Sequence, residues 1–148
     1  MLLLLFNIGE DVHAIDVASV VEVLPIVDIK KLNRAPRGVV GTFNYRGTFI
    51  PVIDLCDLLL GRPAPPRLST RLILARYPAG GGIRLVAILA ENATETLRCA
   101  PADLVAPGMV TEAAPYLGAI VKGPKGFVQQ IEVDKLAGAV IPDFLLSA

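Results

Sequence analysis

The stretch Thr42-Phe43-Asn44-Tyr45-Arg46-Gly47-Thr48-Phe49-Ile50-Pro51-Val52-Ile53-Asp54-Leu55, TFNYRGTFIPVIDL, decides how the chain is read. It is two apolar runs rich in β-branched and aromatic residues around an Arg-Gly step, which predicts strands over Val39–Tyr45 and Thr48–Asp54 joined by a tight turn at Gly47. The helical turn DLLLG follows, with Asp54 placed to cap its free amides and Gly61 to close it. Arg46 reads as a solvated hairpin residue, as a stem whose head reaches water, or as a recognition residue. A catalytic Asp54 would need a partner acid, base or metal ligand, and no such constellation is present.

Further short strands are predicted at Leu2–Ile8, Val12–Val17, Val20–Ile26, Arg71–Tyr77, Arg84–Ala90, Glu95–Leu97, Leu117–Val121 and Phe127–Glu132. No long segment keeps a helical period, so the chain is mainly β. GRPAPPRLS, 61–69, reads as a linker or exposed loop, PAGGG, 78–82, as a hairpin tip, and DKLAG as a helical turn ending at Gly138. Cap candidates there are Glu132 and Asp134.

The chain also repeats itself. VHAIDVASVVEVL (12–24) lies over IRLVAILAENATETL (83–97), with Ile15 on Ile88 and Glu22 on Glu95, both 73 apart. GTFNYRGTFIPVIDLCDLL (41–59) lies over GAIVKGPKGFVQQIEVDKLA (118–137), with Gly41 on Gly118 and Leu58 on Leu136. Units of about 70 residues, near 1–66 and 67–148, are too small for two roomy cores. They predict two small intertwined β-barrels packed together in a single domain spanning 1–148, with a groove between them.

Composition removes several functions. Fourteen Lys and Arg balance fourteen Asp and Glu, and aromatics are 5% with no Trp, so no basic aromatic face for nucleic acid is expected. The start MLLLLFNIGED is too short in its apolar run for a signal peptide and reads as a buried strand. No segment has the roughly 18 apolar residues of a membrane helix. Cys56 and Cys99 read as isolated thiols. His13, the single histidine, is a strand-surface or core-edge residue, since metal sites gather several ligands. No hydrolase serine, C-x-x-C or phosphate loop occurs, so no enzyme and no cofactor are expected.

The blocks FNIGEDVHAIDVASVVEVL (6–24), APRGVVGTFNYRGTFIPVIDL (35–55) and GAIVKGPKGFVQQIEVDKL (118–136) resemble the CheW-like adaptor family of bacterial chemotaxis arrays, from Phe6 to about Phe144. The N-x-R-G and P-V-I-D-L segments carry most of the likeness. The resemblance implies a mainly β fold of two tandem five-stranded SH3-like barrels. It implies a cytoplasmic, non-enzymatic scaffold coupling the cytoplasmic tip of methyl-accepting chemoreceptors to the regulatory domain of a CheA-type histidine kinase. Ring assembly with other CheW-like domains and no direct membrane insertion follow from the same likeness, and a chain of this length has no room for a kinase or receiver domain.

The receptor surface would map onto Ile15, Val17, Val20, Glu22, Val23, Val40, Asn44 and Arg46, with Ala87 and Leu89 across the groove, a helix-in-groove mode. The resemblance also implies a Glu22–Arg46 ion pair between neighbouring strands. The sequence departs from the family at Tyr45, where leucine is common, at Asn92, Thr94 and Thr96, and at Gln129–Gln130, which imply an edge, a bulge or an unusual interface. Those departures suggest an adaptor for a divergent, surface-sensing or pilus-linked array. The alternative from another class is a small-barrel module that binds a ligand or nucleic acid.

Overall fold

A computed structural model describes residues 1–26, 28–108 and 112–141; Phe144, where the family resemblance ends, lies outside them. The strands are β1 (Leu2–Ile8), β2 (Asp11–Asp16), β3 (Val20–Pro25), β4 (Lys30–Lys31), β5 (Val39–Tyr45), β6 (Thr48–Asp54), β7 (Thr70–Ala79), β8 (Gly82–Arg98), β9 (Leu117–Gly123) and β10 (Gly126–Ile131). Two short α-helices, α1 (Leu55–Leu60) and α2 (Val133–Val140), follow β6 and β10, and 3-10 turns lie at Val17–Ser19 and Pro101–Asp103.

Tight turns make the hairpins. Between β5 and β6 the two turn residues, Arg46 and Gly47, both have positive φ, 50° and 90°, as does the Gly80–Gly81 pair between β7 and β8. That is the mirror-image turn whose twist matches paired strands. Gly41 is required for another reason: a Cβ there would lie 2.0 Å from the Lys30 carbonyl oxygen, where β4 crosses β5.

Strand pairing divides the molecule into two β subdomains, and neither is built from one half of the chain. Subdomain one runs β4-β5-β6, joins the first half of β8 in parallel (Val52↔Ala87, Asp54↔Leu89), and continues through β7 to β3. Subdomain two runs from the second half of β8 through β1 and β2, then in parallel to β10 (Gln129↔His13) and to β9. The two halves of the sequence therefore exchange strands. Among the described residues neither ladder closes into a continuous hydrogen-bonded ring: β3 and β4 end the first sheet and β9 the second, apart from a Val105↔Ile120 bridge on β9.

Three apolar clusters fill this frame. Phe43, Ile50, Val52, Leu72, Leu74, Ala87 and Leu89 fill subdomain one, and Leu3, Leu5, Ala14, Cys99, Val121 and Val128 fill subdomain two. The largest lies between them, where Phe6, Ile15, Ile53, Leu55, Ile73, Ile88, Ile131 and Leu136 meet. β7 alternates cleanly, Leu72 and Leu74 into one cluster and Ile73 and Ala75 into the other, so it is buried on both faces.

Several boundaries differ from the sequence expectation. Arg84–Ala90 and Glu95–Leu97 are one 17-residue strand, because β8 serves both sheets and bends at Asn92, whose φ is 54°. The register slip against β1 lies at the same place, between Leu5 and Asn7. Helix α2 passes through Gly138 to Val140; burial of Leu136, Ala137 and Val140 in the central cluster carries it past a glycine that alone would cost it about 1 kcal/mol. The Gln129–Gln130 pair is accommodated by a bulge between Gln129 and Ile131, leaving both glutamines half-buried.

Candidate functional site

The site is built on the β5–β6 hairpin and the strand β3. Asn44, Arg46, Gly47, Thr48 and Phe49 are exposed, while Phe43 and Ile50 anchor the hairpin in the core of subdomain one. The Asn44 side chain oxygen accepts a bond from Gly47 N at 2.7 Å, so Asn44 is first of all the clamp of this turn. Arg46 occupies a left-handed position that favours Gly or Asn, which costs a branched or long residue roughly 1 kcal/mol.

The expected Glu22–Arg46 ion pair is not formed. The Glu22 carboxylate instead accepts a hydrogen bond from the Tyr45 hydroxyl at 2.9 Å. The Arg46 guanidinium stacks on the face of the same ring, 5.1 Å from its centroid. Tyr45 meets Phe43 edge-on at 6.2 Å and packs on the subdomain core. The bond to Glu22, followed by partial desolvation, raises the Tyr45 phenol above its ordinary range, against the opposing pull of Arg46. The cause is geometric: β3 is laddered to β7, not to β5, and Arg46 lies in the turn, past the end of β5. Tyr45, the last residue of β5 and on the face of Phe43, reaches Glu22 instead.

The other predicted contact residues separate by burial. Ile15 and Ala87 are fully buried and Leu89 is 8% exposed, so these three are core residues and offer no surface to a partner. Ala87 and Leu89 do not stand across a groove from subdomain one; they lie inside it. Val17 and Val20 are half-buried against the central cluster, and Val40 against that of subdomain one. Val23 is exposed, together with Val21 and Ile26, which the sequence reading passed over. Alternation along β3, with Glu22 and Leu24 turned inward, was the available signal for that outward face.

Asp54 is architecture. It is 3% exposed, and one carboxylate oxygen accepts from Cys56 N and Asp57 N at the start of α1 while the other accepts from Ala64 N at 2.8 Å. It thereby ties the segment after α1 back to the helix start. Gly61 ends α1 with φ 73°. The same segment is fixed by an ion pair from Arg67 to the buried Glu91, 3.3 Å, which sequence reasoning did not find. In the second half Glu132 holds the capping position of α2 without a cap bond; its carboxylate pairs with Lys135 at 3.0 Å.

Elsewhere, Cys56 and Cys99 are buried free thiols, and burial, aided by Asp54, pushes the Cys56 thiol up. His13 is buried, stacked on Phe6, with its Nδ1 lacking a hydrogen-bond partner. A cavity of about 240 Å³ opens at the tip of the β9–β10 hairpin over Leu5, Val12 and Val128. Among the described residues no group of His, Cys, Asp and Glu is arranged to hold a metal, and no helix is long and apolar enough to cross a membrane.

Comparison with known proteins places this arrangement. Residues 2–140 match the family model described as the CheW-like domain. A chemotaxis protein CheW from Treponema pallidum (strain Nichols) is 38% identical over 53 residues, which are 36% of this chain and 31% of that protein. One from Klebsiella aerogenes is 25% identical over 122 residues, covering 79% of this chain and 71% of its own. The crystal structure of the scaffolding protein TtCheW from Thermoanaerobacter tengcongensis superposes with a TM-score of 0.80 at 23% identity, over 91% of this chain and 86% of that one. That likeness is one of fold: two SH3-like β subdomains.

Proposed function

This chain belongs to the CheW-like domain family, and on that premise we propose that it is a non-enzymatic scaffold of a bacterial chemosensory system. It joins the cytoplasmic tip of methyl-accepting chemoreceptors to the regulatory domain of a CheA-type histidine kinase, within cytoplasmic arrays that include rings of CheW-like domains. The match over residues 2–140 carries this reading. The exposed face of β3, Val21 and Val23, and the exposed, ring-stacked Arg46 support a receptor surface of apolar contacts with a charged fixture. Within the surface first assigned, Val17, Val20, Glu22, Val23, Val40, Asn44 and Arg46 stay accessible in whole or part.

The residues that depart from the family support a divergent, surface-sensing or pilus-linked array: Tyr45 in the hairpin, Asn92, Thr94 and Thr96 along β8, and the glutamine pair of β10. Binding to the organism's principal flagellar kinase as tight as that of its dedicated adaptor would end that part of the reading.

The test is titration against the kinase regulatory domain and the receptor hairpin fragment encoded nearest to this gene. Arg46→Ala and Val23→Asp should each weaken receptor binding with the fold intact by circular dichroism. Val23 is the better probe than Val20, because a charge at Val20 would also disturb the central cluster. If neither partner binds, the scaffold reading fails; if both bind and neither substitution matters, the surface lies elsewhere.

A further inference from the structure

Subdomain one has a seam between β3 and the β5–β6 hairpin: β3 is laddered to β7 alone and β5 to β4 and β6. Leu24 of β3 packs across it into the cluster of Phe43 and Ile50, and a side-chain hydrogen bond crosses it as well. The Tyr45 hydroxyl reaches the Glu22 carboxylate, and its ring carries Arg46. At the corresponding places of subdomain two the repeat puts Glu95 and Lys122, and among the described residues no ion pair joins them. The closure is therefore particular to the seam that borders the proposed receptor surface.

We propose that Tyr45 is the positioning residue of this surface: it satisfies Glu22 and seats Arg46 on its ring, so that the guanidinium remains available for a carboxylate on a helical partner. A direct Glu22–Arg46 pair would neutralise both charges. Here the carboxylate is engaged by a neutral phenol, and among the described residues Arg46 has no carboxylate partner. Stacking orients a guanidinium without using its N–H groups, which stay free for a two-pronged bond to a carboxylate. The ring is itself held, by its edge-on contact with Phe43 and its packing on the core. Phe49 on the hairpin and Val21 and Val23 on β3 are exposed apolar residues of the two elements that meet at the seam, so the matching partner residue is an Asp or Glu set among apolar side chains.

This inference rests on the scaffold reading, and two measurements keep their failures apart. In the free protein, spectrophotometric titration of the phenols compares wild type, Glu22→Gln and Tyr45→Phe. Glu22→Gln should bring the Tyr45 ionisation, which its carboxylate partner holds high, back toward the ordinary range. An unchanged titration overturns the Tyr45–Glu22 closure, whatever any partner does. The second measurement is binding of the receptor hairpin fragment at low and high salt. Tyr45→Leu should weaken it about tenfold and flatten its salt dependence, and Tyr45→Phe, which keeps the ring, about threefold. One Asp or Glu of the fragment, changed to Asn or Gln, should reproduce the loss seen with Arg46→Ala and add nothing to it in combination. Wild-type affinity for Tyr45→Leu, or no such carboxylate, overturns the proposal while the scaffold reading stands. No binding by the wild type fails the scaffold reading and the partner half of this inference together, and the phenol titration still decides the closure.

Discussion

Two buried residues, Asp54 and His13, show how single side chains set the stability of this fold. Asp54 answers three backbone amides from one carboxylate, so Asp54→Ala strips the α1 start and releases the segment at Ala64 together. The expected loss is about 2 kcal/mol in urea unfolding, and Asp54→Asn, which keeps one oxygen, should lose less. His13 behaves differently. Burial holds its pKa below the ordinary value, against the raising influence of the Asp11 backbone and charge. The unfolded chain then binds more protons than the folded one, so stability is full above the unfolded value of about 6.5 and falls as pH drops through it, levelling off below the folded value. As the single histidine, it should account for the slope between roughly pH 7.5 and 5.5, where carboxylates do not yet titrate. His13→Phe should flatten the thermal stability profile in that window; a slope that survives the substitution would assign the effect to other groups.

At the scale of elements, the β5–β6 hairpin was the most legible part of the chain, because alternation and turn chemistry are local. What could not be read there was tertiary: which strand lies opposite Tyr45, and hence who receives Glu22. The glutamine pair announced an irregularity for the same local reason, but only the parallel partner β2 selects a bulge from the alternatives. Ile15, Ala87 and Leu89 were misplaced because an apolar strand residue looks alike whether it faces a groove or a core, and β8 is covered on both sides. The hairpin also separates architecture from recognition by experiment. Gly47→Ala, at φ 90° with open space around its Cβ, should cost about 1 kcal/mol from backbone conformation alone. Arg46→Asn accepts its left-handed position and should change stability by less than about 0.5 kcal/mol. Denaturation curves paired with receptor-fragment titration read both: Arg46→Asn should lose binding and keep stability, and Gly47→Ala the reverse. Equal loss of both by Arg46→Asn would make Arg46 a structural residue.

For the whole molecule, the repeat was visible in the sequence and the strand pairings that assemble it were not. A constant offset of 73 or 77 residues identifies equivalent strands, but whether a strand pairs within its own copy or with the other is a long-range choice that no local pattern encodes. The structure exchanges them: β3 pairs with β7, and the second half of β8 with β1. The energetic consequence follows from the cores. Phe43, Ile50 and Val52 from the first half meet Leu72, Leu74, Ala87 and Leu89 from the second, while Leu3, Leu5 and Ala14 meet Cys99, Val121 and Val128. Each half alone would leave part of every cluster in water, at about 1.5–3 kcal/mol for each large side chain exposed, against a net stability of only about 5–15 kcal/mol for a domain. Fragments 1–66 and 67–148, expressed separately, should therefore be unfolded by amide dispersion in NMR. Mixed, they should recover the native spectrum, because only the connection across 61–69 has been cut and both sheets can still form. A first-half fragment that folds alone would show that strand exchange is not needed for stability, and that the two copies retain independent barrels.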